Sequence, residues 1–577
     1  MTLIDRSPLA VTEGGPAETV ISRPARPRWR RFAGWGLTAL AAVLVYLVLV
    51  VPDAVARVKT GTWVPGAFLR VPLEGILGAA VLIALSPRWR RPMTWLFGLG
   101  LGFVAVLKLF NMGFRTVLGR RFNPVLDWPL LGDGYNALSE TDGRATANAA
   151  VVGVIVLGVV VVTLAVLAVR RLSRVTVRFA GPARRALIGL SAVWLALSLS
   201  GVTLFPDNPV ASDTAAVLLK TTVKQIPEAL RDQRRFAEAA RNDPFRNVPA
   251  NQLVAGLQGK DVIIGVVESY GRTAIEDPQM NAVVGPVLAA NEKKLAAAGF
   301  TARSGFLTSS TFGGGSWLAH AAFQSGLWIN SQQRYRQVTA SDRLTITKAF
   351  QNAGWQTVGV EPGNTVAWPE ASFYGYETVY DSRNMGYRGP RFGWSRMPDQ
   401  YTLATFQREV YGKAHGPVMA EVTLTSSHEP WTPVPAMVDW DRIGDGRVFA
   451  PMAKRGESRS KLWGNPEKTR QEYAKSVGYS VDSLLSWAAK YGDENLVLVM
   501  FGDHQPLPII VGTGASHDIP VTIIAHDEAV LDRIAGWNWE AGLKPSPTAP
   551  VWRMDEFRDK FFTAFGRQKA MSLRNPH

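Results

Sequence analysis

Apolar residues fall along this chain in two regimes: long uncharged runs towards the N-terminus, and short β-branched runs after them. Phe32–Val51 carries no charge over the ~20 residues that a helix needs to cross a bilayer. Ala149–Val169 and Ala186–Phe205 read the same way, while Arg70–Ser86 and Met93–Gly113 are weaker because each holds a charge, Glu74 and Lys108. The pattern predicts a polar tail over 1–31 and about five transmembrane helices over 32–205. A linker over 206–250 follows. Within it, Thr214–Arg241 sets Leu218, Val223, Ile226, Leu230 and Phe236 among Lys, Arg, Gln and Glu. That suits an amphipathic helix on the membrane surface or against the next domain, broken or kinked at Pro227.

From 251 to 577 the periodicity changes to that of an α/β domain. Asp261–Val267 and Leu496–Met500 are nearly continuous apolar runs of the kind buried in a parallel sheet. Val418–Trp431 begins as a strand whose apolar positions partly alternate, which predicts one less buried face. Leu344–Gly354 reads as a helix leading into a strand at Gln356–Val360, and Val521–Ala525 as a further strand. Ala529–Phe565 reads as helical runs whose Trp537, Trp539 and Trp552 pack on the core. The expected fold class is an α-helical, five-span transmembrane domain plus an extracytoplasmic α/β domain with a mostly parallel, doubly wound sheet between helices.

Charge turns this pattern into a topology. The 577 residues carry a net charge of +16, which by itself fits nucleic acid or a membrane protein with basic cytoplasmic loops. The arginines decide between these. Arg23, Arg26, Arg28, Arg30 and Arg31 precede the first span; Arg88, Arg90 and Arg91 follow the second. Arg170, Arg171, Arg174, Arg178, Arg184 and Arg185 crowd the turn after the fourth. Placing all three groups in the cytoplasm leaves the nearly balanced loop Arg115–Arg144 outside, together with everything after Phe205. No nucleic-acid partner is expected. Glu74 and Lys108 read as charges that snorkel to a membrane surface, with a place on a substrate path as the alternative. The absence of cysteine excludes disulfides, thiolate nucleophiles and Cys-ligated zinc.

The candidate chemistry lies in the outer domain. In Leu307–Leu327 a Ser/Thr/Gly-rich loop runs into Ser316 and then an alanine-rich segment at helical spacing. A hydroxyl where a glycine-rich loop enters a helix suits attack on an anionic ester, and an ordinary N-cap serine fits the same residues equally. Glu268 follows the strand Asp261–Val267, and Asp503-His504 follow Leu496–Met500. Ligands in open α/β sheets bind beyond the carboxyl ends of strands. A carboxylate with an imidazole there suits Mn²⁺ or Zn²⁺. His428 stands past a third strand, placed to touch substrate or a leaving group, or to cap its loop against Trp431. His517 is a candidate ligand for a second metal, or simply a loop histidine.

The order Glu268, Ser316, His428, Asp503-His504 resembles the alkaline-phosphatase and sulfatase superfamily, and within it the membrane-anchored, lipoteichoic-acid-synthase-like phosphoglycerol transferases. The segment from Ser316 through His320 to Ser325-Gly326-Leu327 is similar to the sulfatase signature, with His320 where sulfatases carry arginine. Phe501–His504 resembles the transferases' metal-binding segment. Gly393-Trp394-Ser395-Arg396 resembles their Trp-x-Arg segment. The resemblance implies a bacterial plasma-membrane enzyme whose catalytic domain faces outwards. It implies a divalent cofactor, Mn²⁺ first with Zn²⁺ or Mg²⁺ as alternatives, held by Glu268, Ser316, Asp503 and His504. Ser316 would be the nucleophile, in place of the usual threonine. Trp394, Arg396 and His428 would bind substrate, a phosphatidylglycerol-like phospholipid donor, with a glycan, polymer or lipid as acceptor. A phosphatase or phosphodiesterase, a phosphoethanolamine transferase and an inactive scaffold are the alternatives.

Overall fold

The computed structural model describes residues 28–51, 68–118, 120–205, 208–392, 394, 396–512 and 514–567. Most of the expected tail 1–31, with Arg23 and Arg26, lies outside the described residues, as do Gly393 and Ser395. Among the described residues, four helices are long and apolar enough to cross a membrane. They are α1 (Arg28–Val50), α3 (Pro87–Leu118), α5 (Arg144–Arg178) and α6 (Ala180–Ser200). The fifth expected span is instead the short α2 (Leu73–Ala84), whose 12 residues rise only about 18 Å. Pro72 stands at its start, and Pro87 disfavours helix at Ser86 just beyond its end. Arg170 to Arg178 and Arg184-Arg185, expected in a turn, are themselves helical, so α5 and α6 are separated only by Phe179. The loop Arg115–Arg144 holds a helix the pattern did not reveal, α4 (Trp128–Asp142).

Close packing holds the helices together. A Cβ on Gly98 or Gly102 of α3 would stand 2.8 Å from the Val166 Cα or 2.9 Å from the Val162 Cα of α5. These glycines, four apart, let the two backbones approach, as small residues do between membrane helices. The two charges inside apolar segments turn out to cap helices. Lys108 is buried and donates from Nζ to the carbonyls of Val48 (2.7 Å), Leu49 (3.2 Å) and Val51 (2.7 Å), the open C-terminal end of α1. Glu74 accepts from the Ala216 N–H (2.8 Å) in the first turn of α7 (Thr214–Arg241). Neither snorkels. Helix α7 is continuous through Pro227, contrary to the expected break. Its first turns pack through Ala215 and Leu218 on the apolar helices, the expected anchor, and Phe236 joins the core of the α/β domain, expected to be the outer one. Both ends being pinned, the one hydrogen bond that proline removes does not divide it.

The outer domain is built on a nine-stranded mixed sheet. Its strands are β1 (Asp261–Val267), β2 (Thr301–Thr308), β3 (Gln356–Glu361), β4 (Thr378–Asp381), β5 (Val418–Leu424), β6 (Leu496–Gly502), β7 (Asp518–Ala525), β8 (Glu540–Ala541) and β9 (Val551–Arg553). The order is β8-β2-β7-β6-β1-β5-β3-β4, with β9 also on β2. Strands β6, β1, β5, β3 and β4 form a parallel block. Strand β7 runs antiparallel to both β6 and β2. Helices α8 (Pro278–Ala297) and α11 (Pro466–Tyr491) cover one face. The other face is covered by α9 (Ser316–Ser325), α10 (Ile346–Asn352) and α12 (Phe557–Phe565). β5 is buried at every position, not half-exposed as its alternation suggested, because Glu421 is a buried charge and not a solvent-facing one. The segment Ala529–Phe565 is only partly helical, since it also supplies the edge strands β8 and β9.

The end of the linker is locked into this domain by charge. Asp243 pairs with Arg558 (2.8 Å) and Arg343 (3.3 Å), all three buried or nearly so. Burial would raise the Asp243 carboxyl, but Arg558 overrides it and holds the group below the usual carboxylate range. Its contribution to stability is therefore present above about pH 3.9 and is lost as pH falls through the lower folded value. Arg558→Met leaves Asp243 underpaired and is expected to destabilise the domain by about 3 kcal/mol, read from denaturant unfolding of the purified chain.

Candidate metal centre and its cavity

Strands β1 and β6 are parallel neighbours in register, with Val267 opposite Gly502. The next residue on each is acidic, so Glu268 and Asp503 emerge side by side at the carboxyl edge of the sheet, with His504 beside them. Gly502 is required here: a Cβ would stand 1.9 Å from the Tyr270 carbonyl oxygen. Each ligand is oriented by a second contact. Asp503 Oδ1 accepts from the backbone N–H of Ser269 (2.7 Å) and of His504 (2.8 Å). The Ser309 hydroxyl donates to the Asp503 carbonyl (2.6 Å). His504 Nδ1 lies 2.8 Å from the Gln505 carbonyl, which can only accept, so Nδ1 carries the proton and Nε2 presents its lone pair.

Ser316 is the first residue of α9. Gly313, Gly314 and Gly315 before it have φ of 70°, 146° and 84°, backbone that side chains rarely adopt. The turn they make swings the hydroxyl onto the cluster. Ser316 Oγ donates to Glu268 Oε2 (2.9 Å) and lies 3.3 Å from His504 Nε2. His504 Nε2 is in turn 3.5 Å from Glu268 Oε1 and 3.4 Å from Asp503 Oδ2. Glu268, Asp503 and His504 offer three ligand atoms within 4.8 Å of one another, all buried.

The donor set fits a divalent ion. Asp503 Oδ2 is buried and has no hydrogen-bond partner, an expensive state that a cation would relieve. Burial, with Glu268 alongside, pushes the Asp503 carboxyl up to about 6. Two oxygens and a neutral imidazole suit Mn²⁺ or Zn²⁺.

Glu268 and His504 of this cluster line a cavity of about 1360 Å³ that continues between the α/β domain and the apolar helices. Val106, Phe110 and Val117 of α3, Leu130 of α4 and Leu157 of α5 line its far side. The glycine loop touches the anchor directly: a Cβ on Gly313 would meet the Val117 carbonyl at 2.6 Å. His428 lines the same cavity. Its Nδ1 lies 2.7 Å from the Glu429 carbonyl, so Nε2 is the free base, and burial lowers its pKa, keeping it neutral at pH 7. Trp394 stacks on the His428 ring (centroids 3.9 Å, 18°). Arg396, two residues further on, is not among the lining residues. His517 lines the cavity against Phe312 but belongs to neither group of potential ligands among the described residues.

Sequence reasoning missed the residues that orient the ligands, among them Ser269, Ser309 and Ser427, whose hydroxyl donates to the Glu268 carbonyl (2.6 Å). Their common signal, small hydroxyl residues just past strand ends, is too frequent to single out. Asp399 was also missed; its Oδ1 takes the backbone N–H groups of Thr425 (2.7 Å) and Ser426 (2.9 Å) and so fixes the loop that carries His428. Because protons compete at Asp503, Mn²⁺ affinity measured by titration calorimetry is expected to fall about tenfold between pH 7.5 and pH 5. Asp503→Asn is expected to abolish binding at this site at both pH values.

No protein-family model and no curated protein matches the chain. Solved structures do. The lipoteichoic acid synthase LtaP from Listeria monocytogenes is 13% identical over 53% of this chain and 72% of its own, at a TM-score of 0.34. A Vibrio parahaemolyticus protein of the alkaline phosphatase superfamily is 14% identical over 60% and 79%, also at 0.34. The Streptococcus pyogenes phosphoglycerol transferase GacH, solved with sn-glycerol-1-phosphate, is 13% identical over 61% and 96%, at 0.33. All three likenesses are at low identity and low TM-score.

Proposed function

We propose that this protein is a metal-dependent phosphotransferase that moves a phosphoglycerol-type head group from a membrane phospholipid to an acceptor hydroxyl. The observation that carries the reading is the cavity, which joins apolar side chains of α3, α4 and α5 to Glu268 and His504 in one continuous space. A lipid phosphodiester has the same two ends, acyl chains for the anchor side and an anionic ester for the metal centre. In this reading α2, with the short extended stretches on either side of it, completes a fifth pass and the catalytic domain lies outside a bacterial plasma membrane, in line with the arginine distribution.

A divalent ion bound by Glu268, Asp503 and His504, with Ser316 beside it, supplies positive charge that favours the Ser316 alkoxide and the transferring phosphoryl oxygens. Ser316 Oγ, already hydrogen-bonded to Glu268, attacks phosphorus. The bond to the diacylglycerol oxygen breaks, and the proton lost by Ser316 balances the one that oxygen gains. A covalent phosphoserine remains. The acceptor hydroxyl then attacks phosphorus and gives its proton to His428 Nε2. The bond from phosphorus to Ser316 Oγ breaks and Ser316 regains a proton, while Trp394, stacked on the imidazole, and Arg396 hold the glycerol-phosphate group. The acceptor is a glycan, polymer or lipid hydroxyl.

The test uses the detergent-purified chain, Mn²⁺ and phosphatidylglycerol with a fluorescent acyl chain. Labelled diacylglycerol is expected to appear with the native chain, and Ser316→Ala should reduce its rate by at least about 10³-fold. Release only from phosphatidylethanolamine would redirect the reading to the phosphoethanolamine transferase, and turnover of soluble esters alone to the phosphatase. Gly113 lines the cavity with nothing within 4 Å of its Cβ position. Gly113→Phe therefore fills lipid space, and should lower kcat/KM about tenfold for a long-chain lipid while sparing a soluble phosphodiester.

A further inference from the structure

A second group of potential ligands lies behind the nucleophile's helix. His320 stands one turn along α9 from Ser316, Glu421 lies within β5, and Glu361 ends β3. Strands β3 and β5 are parallel neighbours with Gly359 opposite Glu421, so the two glutamates rise from the same face of the sheet, towards α9. One oxygen from each and a ring nitrogen of His320 lie within 4.8 Å of one another.

The surroundings hold the Glu421 carboxylate in one orientation. Its Oε2 accepts from the Gln324 side chain and from the Tyr376 hydroxyl (2.9 Å), leaving Oε1 to face His320 Nδ1 at 3.0 Å. Thr423 Oγ1 donates to Glu361 Oε1 (2.9 Å) and fixes that carboxylate in the same way. The His320 side chain is only 9% exposed, faces both glutamates, and has no hydrogen-bond partner at Nε2. Burial alone would lower the His320 pKa, but Glu421 raises it to about 9, while burial pushes Glu361 up to about 7. A divalent ion would give the three buried side chains a common partner.

We propose that His320, Glu361 and Glu421 hold a second divalent ion, Mn²⁺ or Zn²⁺, distinct from the one at Glu268, Asp503 and His504. The ligands are one imidazole nitrogen and two carboxylate oxygens, the borderline set that takes these ions in preference to Ca²⁺. Gln324 and Tyr376 act as the outer partners that orient Glu421. Such an ion ties α9 to β3 and β5 one helical turn from Ser316, and so sets where the nucleophile stands. The inference does not rest on the lipid reading, because an ion count needs no substrate.

The full chain in detergent is stripped with chelator, dialysed against Mn²⁺ or Zn²⁺, and its metal counted per chain. Two ions are expected for the native chain, one for Glu361→Gln and one for Asp503→Asn. One ion in the native chain with both metals, or two retained by Glu361→Gln, overturns the proposal. Anomalous scattering from crystals of the native chain soaked in Mn²⁺ decides independently of how the variants fold. A peak bonded to His320, Glu361 and Glu421 supports the site. Its absence, with the first site filled, overturns it.

Discussion

Two carboxylates and an imidazole buried at the ends of adjacent parallel strands are the constraint on which the rest of this molecule depends. Burial, with Glu268 alongside, raises the Asp503 carboxyl, and Asp503 Oδ2 has no hydrogen-bond partner among the described residues. The protein neither removes these charges nor exposes them. It orients each with backbone N–H groups and serine hydroxyls and brings Ser316 onto them, an arrangement that makes physical sense around a cation. The parallel pairing of β1 with β6 is what makes it possible, since it alone sets the two acids side by side.

The same edge of the sheet faces the anchor. Gly313 meets the Val117 carbonyl at a distance that excludes any side chain. Arg459 of the outer domain pairs with Glu429 beside His428 (2.8 Å) and approaches Asp142 at the end of α4 (3.8 Å). Helix α7 joins the two bodies a second time, capped by Glu74 at the anchor and locked near its far end by Asp232 with Arg334 (2.5 Å). The cavity is therefore a property of both parts. Neither the sheet nor the helices alone would enclose it.

Polar groups inside the anchor follow the rule that backbone atoms deprived of water must find partners. Lys108 caps the carbonyls that end α1, and Glu74 caps an N–H that opens α7. Both charges looked like defects in membrane spans. Their role is to close helix ends. A comparable economy holds at the catalytic edge, where Asp399 fixes the loop before His428 through two backbone N–H groups and Trp394 covers the imidazole from the side.

The sequence by itself determined the division into anchor, linker and α/β domain, because uncharged length and β-branched runs are local and report burial directly. It also pointed to Glu268 and Asp503-His504, since residues just past buried strands emerge at one edge of a sheet, and to Ser316 at the end of its glycine loop. It did not foresee how short α2 is or that α7 runs unbroken through Pro227, where local hydropathy and propensity were outweighed by flanking prolines in one case and by tertiary contacts in the other. It misread β5 because a charge within an apolar strand looks like a solvent-facing position until its partners are known. Only the tertiary structure decided that Glu421 faces His320 and Glu361, that Trp394 lies on His428, and that α3 to α5 wall the cavity. Each joins residues far apart in the chain, and strand order, register and helix packing, which no local pattern encodes, bring them together.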